Sequence, residues 1–489
     1  MPPVPLDPRT PVLIGVGVAS DDVEPAELMA MALVAAAEDA GSTSILGSVD
    51  RIAVPQGNWA YPDPARLVAD RVGATHARTH LVELGIPQQS LINQALGAIL
   101  EGSCDVAVIV GGEAKRRSQQ AERSGRPVQE TPQPGSVPDV FQRRPGDLLE
   151  PVELATGLWD PVQQYAMIDN ALRRAEGRSL DEHRDEIAEL WSRFNRVATG
   201  NPRAAFPAPM SASEIATPSR HNRPLAFPYN KWHSTQWTVD QAAALLVCSV
   251  GAAQRFGIAP DRWVFPLVGL ESSHAVSLLR RVEPHRWPAM QALGARAAER
   301  IGRPLADVEV TELYSCFPAA VRVQQRALGL GPDTTPTVTG GMAFAGGPFN
   351  NFVYQATAAV VEQLRASPGA LGIVTTVSGL LTKPGIGIWS TQPDDRPPLI
   401  ADLADQAAAT TETVDVHTTL EEYSGRASVV SYTVTFDAGE PSRTVVIGET
   451  PSGTRCVAFS DDTDLARHAV SNELGGATVL VRSGTFGLT

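Results

Sequence analysis

The chain has 489 residues, more than one ordinary domain, so two to four domains are predicted. Hydrophobic residues make up 43% and charged residues 19%, a globular composition that excludes a mainly disordered chain. The net charge of −14 argues against a nucleic-acid footprint, and no apolar run reaches the ~18–20 residues of a membrane span.

Residues 11–19 (PVLIGVGVA) read as an apolar strand, and 25–40 as a helix with Pro25 in its first turn. A weak strand over 50–54, a short helix over 63–73 and a strand over 79–84 (THLVEL) follow. Residues 88–100 read as an amphipathic helix, and 103–112 (SCDVAVIVGG) as a buried strand ending in glycines. Such alternation predicts a parallel α/β sheet covered by helices. Residues 114–235, with charged clusters, proline-rich loops and two helical stretches, read as an insertion between strands of one sheet. A buried strand returns over 236–249.

The second half repeats this order. Strands are predicted at 264–272, 308–313, 371–378 and 385–390, and helices at 287–301, 319–328 and 351–365. The run CDVAVIVGGE is matched by GALGIVTTVSG, so the halves read as an internal duplication. The boundaries are 1–113 with 236–255, 114–235, 256–405 and 406–489. Residues 402–413 read as a small, polar linker. The segment beyond it reads as four or five short strands with one helix, a small OB-like barrel.

The cysteines Cys104, Cys248, Cys316 and Cys456 are far apart and form no CxxC pair. No zinc site or disulfide framework is expected, and a reducing, cytoplasmic setting fits. The start MPPVPLDPRT lacks the basic-then-apolar pattern of a leader. There are three lysines, Lys115, Lys231 and Lys383. A Schiff-base reading of Lys231 or Lys383 is outweighed by a surface or snorkelling one. The basic cluster Lys115, Arg116, Arg117, Arg123 and Arg126 reads first as a solvated charge run.

Three runs carry a resemblance: NRPLAFPYNKWHSTQWTVDQAAALLVCSV (222–250), VTELYSCF (310–317) and GGMAFAGGP (340–348). With RTPVLIGVG and ALGAILEGSCDVAVIVGGE, they resemble the thiolase superfamily, most closely its sterol-carrier-protein-2-type group. The extra C-terminal segment is similar to that of the type 1 thiolase-like proteins, known mainly from actinobacteria. The resemblance covers roughly residues 8–400. It implies a duplicated thiolase fold, a five-layer α/β/α/β/α sandwich with a loop domain inserted in the first half. Members act on CoA thioesters, and most are dimers paired through the strand that here reads THLVEL.

The family chemistry needs a cysteine nucleophile at a helix N-terminus, an activating histidine, a second cysteine as acid/base, and donors to the thioester oxygen. The nucleophile position falls near Gly85, with no cysteine nearby, and nothing marks Ser90 as activated. Gly347 of Gly346-Gly347-Pro348 replaces the histidine, and His274 reads as an ordinary loop residue rather than a substitute. Val377 of Val377-Ser378-Gly379 replaces the second cysteine. In Tyr314-Ser315-Cys316-Phe317 the cysteine and aromatic are kept, while Tyr314 replaces a histidine. Cys104 reads as a small buried hydrophobe. Asn350 and Asn351 are expected to cap the following helix.

Three of four catalytic loops thus lack their reactive side chain, and no ordinary thiolase activity is expected. The resemblance implies a protein that binds CoA or acyl-CoA in lipid metabolism, with no required cofactor and no metal. Candidate contacts are Gly340, Gly341, Gly346, Ser378 and Gly379; the residual catalytic candidates are Tyr314 and Cys316. The alternatives are an acyltransferase, a retro-aldolase on fatty or steroid acyl-CoA using Tyr314, or a structural protein. A monomer is favoured over the family dimer.

Overall fold

The structure is a computed structural model that describes residues 6–489. The N-terminal half runs β1 (Pro11–Ala19), α1 (Pro25–Asp39), β2 (Arg51–Pro55), α2 (Pro64–Val72), β3 (Arg78–Val82), α3 (Gln88–Glu101) and β4 (Val106–Ala114). The insertion carries α4 (Lys115–Arg123), β5 (Val140–Gln142), α5 (Pro151–Ala155), α6 (Pro161–Ala175), α7 (Leu180–Thr199), α8 (Ala212–Ala216), β6 (Pro224–Ala226) and β7 (Tyr229–Asn230). Strand β8 (Asp240–Ser249) and helix α9 (Val250–Arg255) close the half. The second half runs β9 (Phe265–Glu271), α10 (Pro288–Ile301), β10 (Val310–Glu312), α11 (Pro318–Leu328), α12 (Phe352–Ala366), β11 (Leu371–Ser378), β12 (Lys383–Ser390), β13 (Leu399–Asp402) and α13 (Ala404–Thr410). The last segment is β14 (Ser424–Asp437), β15 (Glu440–Glu449), β16 (Arg455–Ser460), α14 (Thr463–Ser471), β17 (Thr478–Arg482) and β18 (Thr485–Leu488).

Local signals set the helix ends. Asp63 caps α2 by accepting from the Arg66 amide, and Ser179 with Glu182 forms a capping box on α7. Gly73, Gly102, Gly302 and Gly329 end α2, α3, α10 and α11 in the left-handed conformation that glycine adopts without strain. Strands β4 and β8 are buried along their whole length, which explains their unbroken apolar runs.

The two sheets run β1-β8-β4-β2-β3-β5 and β13-β9-β12-β11-β10, and the order β1-β8-β4-β2 in the first is matched by β9-β12-β11-β10 in the second. Helices α3 and α12 pack between the sheets; α1 and α2 cover one outer face and α10 the other. This is the duplicated five-layer α/β arrangement. The barrel closes as β15-β16-β18-β17-β14, with β14 also paired to β15. Its core of Val429, Tyr432, Val446, Ala458, Val479 and neighbours is separate from the two large clusters of the sandwich.

Two features depart from the sequence reading. Residues read as a linker form α13, which packs on α10 and buries Ala407 completely, directly after an unexpected strand, β13, that pairs in parallel with β9. Alanine-rich DQAAAT is small and polar by composition, but it is also good helix former, and a neighbouring helix decides between the two. The insertion also supplies an edge strand: β5 pairs in parallel with β3 through His80↔Val140, Leu81↔Phe141 and Val82↔Gln142. Asp139 pins this edge, accepting from the Thr79 amide at 2.8 Å. Three residues without an apolar pattern carried no strand signal in the sequence.

The insertion also binds the other parts together. Its hairpin β6–β7 joins the barrel through Ala226↔Thr435, and Ser431 of β14 donates to the Met167 carbonyl of α6. Buried Asp169 of α6 accepts from Tyr229 at 2.7 Å and pairs with His183 and with Arg322 of α11. Arg322 also pairs with Glu176 and Glu186.

Candidate functional site

The central helices α3 and α12 begin facing each other, where the family chemistry would be centred. Gly85 stands just before α3 at φ +99°, a conformation open to glycine, and its carbonyl accepts from Lys383 Nζ. The first turn of α3 is Gln88, Gln89 and Ser90, all buried. The Gln88 side chain accepts from the Val353 amide of α12 at 2.9 Å and donates to Asn350 at 3.3 Å. A carboxamide thus laces the two helix starts together just beyond the expected nucleophile position at Gly85. It also corrects the expected cap: Asn351 occupies the cap position of α12 but makes no capping bond. Asn350 instead donates to the Gln56 carbonyl.

The loop before α12 is tightly filled. The Gly347 amide donates to the Gln236 carbonyl, and a Cβ at Gly347 would lie 2.2 Å from Thr235 Cγ2. A histidine cannot enter this position without moving the Thr235 side chain. Phe349, two residues on, has φ 44°. On the facing side, Val377 is buried near the end of β11, and the turn to β12 holds Gly379, Leu380 and Leu381 at φ 62°, 62° and 59°. Left-handed leucines cost about 1–2 kcal/mol each. The turn is held by Arg281, whose guanidinium donates to the Leu380 carbonyl at 2.6 Å and the Val276 carbonyl at 3.2 Å. Non-glycine strain therefore collects at two family catalytic loops although their reactive residues are gone.

Tyr314 and Cys316 sit between these loops. The Tyr314 amide donates to Thr375 of β11, and its ring meets Phe352 of α12 edge-on at 5.9 Å. Burial pushes the Tyr314 phenol well above its usual range, so it stays protonated. Tyr165 from the insertion stacks on Phe317 at 4.6 Å, next to Cys316 in the chain. Burial pushes the Cys316 thiol up to about 12. Cys104 and Cys248 are likewise pushed up to about 12, and Cys456 to about 11. All four cysteines are free and buried, so none supplies a thiolate near neutral pH.

Thr235 joins two of these segments, donating to the Cys316 carbonyl while its methyl abuts Gly347, and the structure spends two candidate amides internally. Gly340 donates to Thr337 and Gly341 to Thr339. These threonines in turn bind Glu312, which accepts from the Val338 and Thr339 amides and both threonine hydroxyls. Complete burial pushes the Glu312 carboxyl up to about 7 against these donors. Cβ atoms at Gly340 and Gly341 would strike Ala198 and Phe194 of α7, so the insertion packs directly on this loop. Gly346 faces Gln241, while Ser378 and Gly379 keep partial exposure.

Other singled-out residues fall elsewhere. His274 is half-buried and lines a cleft of about 410 Å³ that also reaches Arg281, Leu381, Thr382 and helix α13. Lys115 and Lys231 lie over the Trp237 and Trp232 rings. Arg116 and Arg117 pair with Asp240 and Asp22. Sequence reasoning missed Gln88, and it set aside two groups that the structure buries: Ser90, bonded to Glu271, and Lys383, which is 1% exposed rather than on the surface. Among the described residues no three His, Cys, Asp or Glu side chains group to hold a metal, and no helix is long and apolar enough to cross a membrane.

Residues 407–485 match the additional C-terminal domain of thiolase-like protein type 1. No curated protein matches the chain. The crystal structure of a monomeric SCP2-thiolase like protein type 1 from Mycobacterium smegmatis superposes with a TM-score of 0.83 at 27% identity, covering 99% of this chain and 100% of that one. An Ltp2-ChsH2(DUF35) aldolase matches at 18% identity and TM-score 0.59, over 79% of this chain and 99% of that one. Acetyl-CoA acetyltransferase from Syntrophomonas wolfei matches at 17% identity and TM-score 0.54, over 78% and 99%. The last two share the fold. The added barrel, the duplicated sandwich and the full-length match agree: the chain has the thiolase-like fold and is similar throughout to a sterol-carrier-protein-2-type thiolase-like protein of type 1, with that type's additional C-terminal domain.

Proposed function

We propose that this protein binds CoA or an acyl-CoA thioester, in lipid metabolism, without ordinary thiolase chemistry. The observation that carries this reading is a retained centre without a nucleophile. The strained turns at Phe349 and Leu380–Leu381 persist, while all thiols are buried and protonated and Gln88 fills the helix start. Backbone strain is held where it serves a site, because an idle turn relaxes towards glycine. The cleft beside Leu381 and Thr382 gives a ligand a route to that turn, and the partly exposed Ser378 and Gly379 remain its candidate contacts. Loss of nucleophile and base together removes about a million-fold of rate.

Calorimetry with CoA, acetoacetyl-CoA and a long-chain acyl-CoA tests the binding, and a thiolysis assay tests the chemistry. Heat of binding without turnover is expected. No binding at millimolar ligand, or turnover like that of an active thiolase, overturns the reading. We read the protein as a cytoplasmic monomer, because β5 already occupies the β3 edge through which family dimers pair. Light scattering checks the mass.

One observation favours a second reading, a retro-aldolase on a fatty or steroid acyl-CoA. Tyr314 places a protonated phenol in the centre, able to donate a hydrogen bond to a developing oxyanion, and an aldolase shares the fold. The barrel would act in cis where relatives use a separate partner. Any retro-aldol activity should be lost in Tyr314→Phe; survival of activity would exclude this role.

A further inference from the structure

Only three of the 40 lysine and arginine side chains are lysine, and one of them is buried. Lys383 opens β12, with its stem packed against the Gly379 turn. Its ammonium donates to the Gly85 carbonyl, and among the described residues no carboxylate lies within 4.0 Å of it. Burying an unpaired cation is costly, and a methionine would fill the same space without that cost. The retained amine therefore asks for a chemical reason.

The amine lines a cavity of about 190 Å³, together with Ser90, Glu271, Ser273, Asp402 and Arg143. At about 30 Å³ per water-sized group, it holds roughly six such groups. In the β12 ladder Lys383 pairs with Ser378, and Gly385, two residues on, pairs with Glu271 of β9. Lys383 and Glu271 thus share one face of neighbouring strands as a diagonal pair. Ser90 and Asn93 of α3 both donate to the Glu271 carboxyl.

We propose that Lys383 is an amine nucleophile that forms an imine with a small aldehyde or ketone in this cavity, which adjoins the Gly85 and Ser378–Gly379 loops but does not rest on the acyl-CoA reading above. Burial, reinforced by the Arg144 guanidinium, lowers the Lys383 ammonium to about 8, so about a tenth is neutral at pH 7. Arg143 adds positive charge at the cavity, and Asp402 is bound to Ser273. Burial raises Glu271, so it holds its proton to a higher pH than an ordinary carboxyl does, against the lowering effect of the Ser90 and Asn93 donors. The neutral amine attacks the carbonyl carbon, forming a C–N bond while the carbonyl oxygen takes up a proton. Nitrogen loses a proton, the hydroxyl leaves as water with a proton from Glu271, and a C=N bond results. No electrons are gained or lost overall.

The test uses the intact wild-type protein, with propionaldehyde and cyanoborohydride to trap the imine, and peptide mass spectrometry to read each lysine. Lys115 and Lys231 are internal standards. The expected result is Lys383 alkylated about tenfold faster than either at pH 7, with a rate that rises to a plateau near pH 8. Labelling of Lys115 and Lys231 with Lys383 spared overturns the proposal and leaves Lys383 as a pin on the Gly85 carbonyl. In Glu271→Gln the Lys383 rate should fall about tenfold with the other two unchanged; an unchanged Lys383 rate removes Glu271 from the step.

Discussion

The strand pairs β4–β8 and β11–β12 are one feature in two copies. In the N-terminal half the connection runs over residues 115–239 and folds into an insertion that reaches the opposite half and the barrel. In the C-terminal half the same connection is the short turn Ser378–Thr382, with Leu380 and Leu381 in left-handed conformations. One copy spends chain length on surface and docking; the other spends backbone strain on position. The difference teaches that the same connection can build surface and docking contacts in the first half and hold a fixed, strained turn in the second.

The largest effect is expected where the insertion meets the second half. Arg322→Met leaves Asp169, Glu176 and Glu186 without their shared partner in a buried setting. Chemical denaturation should show a loss of about 3–5 kcal/mol. A smaller loss would mean that the insertion is held by apolar packing alone. The strained turn gives the next effect, and two neighbouring leucines separate strain from packing. Leu381→Gly removes a buried side chain and should cost about 1–4 kcal/mol after relief of strain. Leu380→Gly loses only a half-buried one, so relief and loss should nearly cancel, within about 1 kcal/mol.

A third effect appears in pH dependence. Glu312 has its folded pKa raised to about 7 from an ordinary 4.5, so the folded state holds the proton more tightly than the unfolded chain. Its contribution is therefore fully present below about pH 4.5 and is lost as pH rises through 7. Stability measured from pH 5 to 8 should lose this downward slope in Glu312→Gln; an unchanged slope would assign it to another group. The smallest expected effect is on activity. Gly347→His should restore no thiolysis, because Thr235 fills the space and no thiol is available to activate. Detectable turnover in that variant would show that the two halves still assemble a catalytic centre.

Much of the fold was legible because burial leaves a pattern. Runs such as AVIVGG and GIVTTVS mark strands covered on both faces, and the glycines after α2, α3, α10 and α11 mark helix ends. Strand β5 and helix α13 were not legible as elements, since three residues or an alanine-rich stretch take their structure from the neighbour they pair with. The candidate site divides the same way. That Gly347 and Val377 carry no reactive group is a statement about residue identity. That Gln88 bridges α3 and α12, that Gly340 and Gly341 give their amides to threonines, and that Lys383 is buried are statements about neighbours far away in the chain.

The sequence by itself determined the duplicated α/β architecture, the added barrel and the missing catalytic side chains, because periodicity and residue identity are local properties. Tertiary structure alone decided which groups meet and at what protonation. The thiol of Cys316 is ordinary in sequence and is pushed up to about 12 by its surroundings; the amine of Lys383 is drawn down to about 8 by the same physical cause. Burial disfavours whichever form carries charge, and only packing of distant segments sets burial.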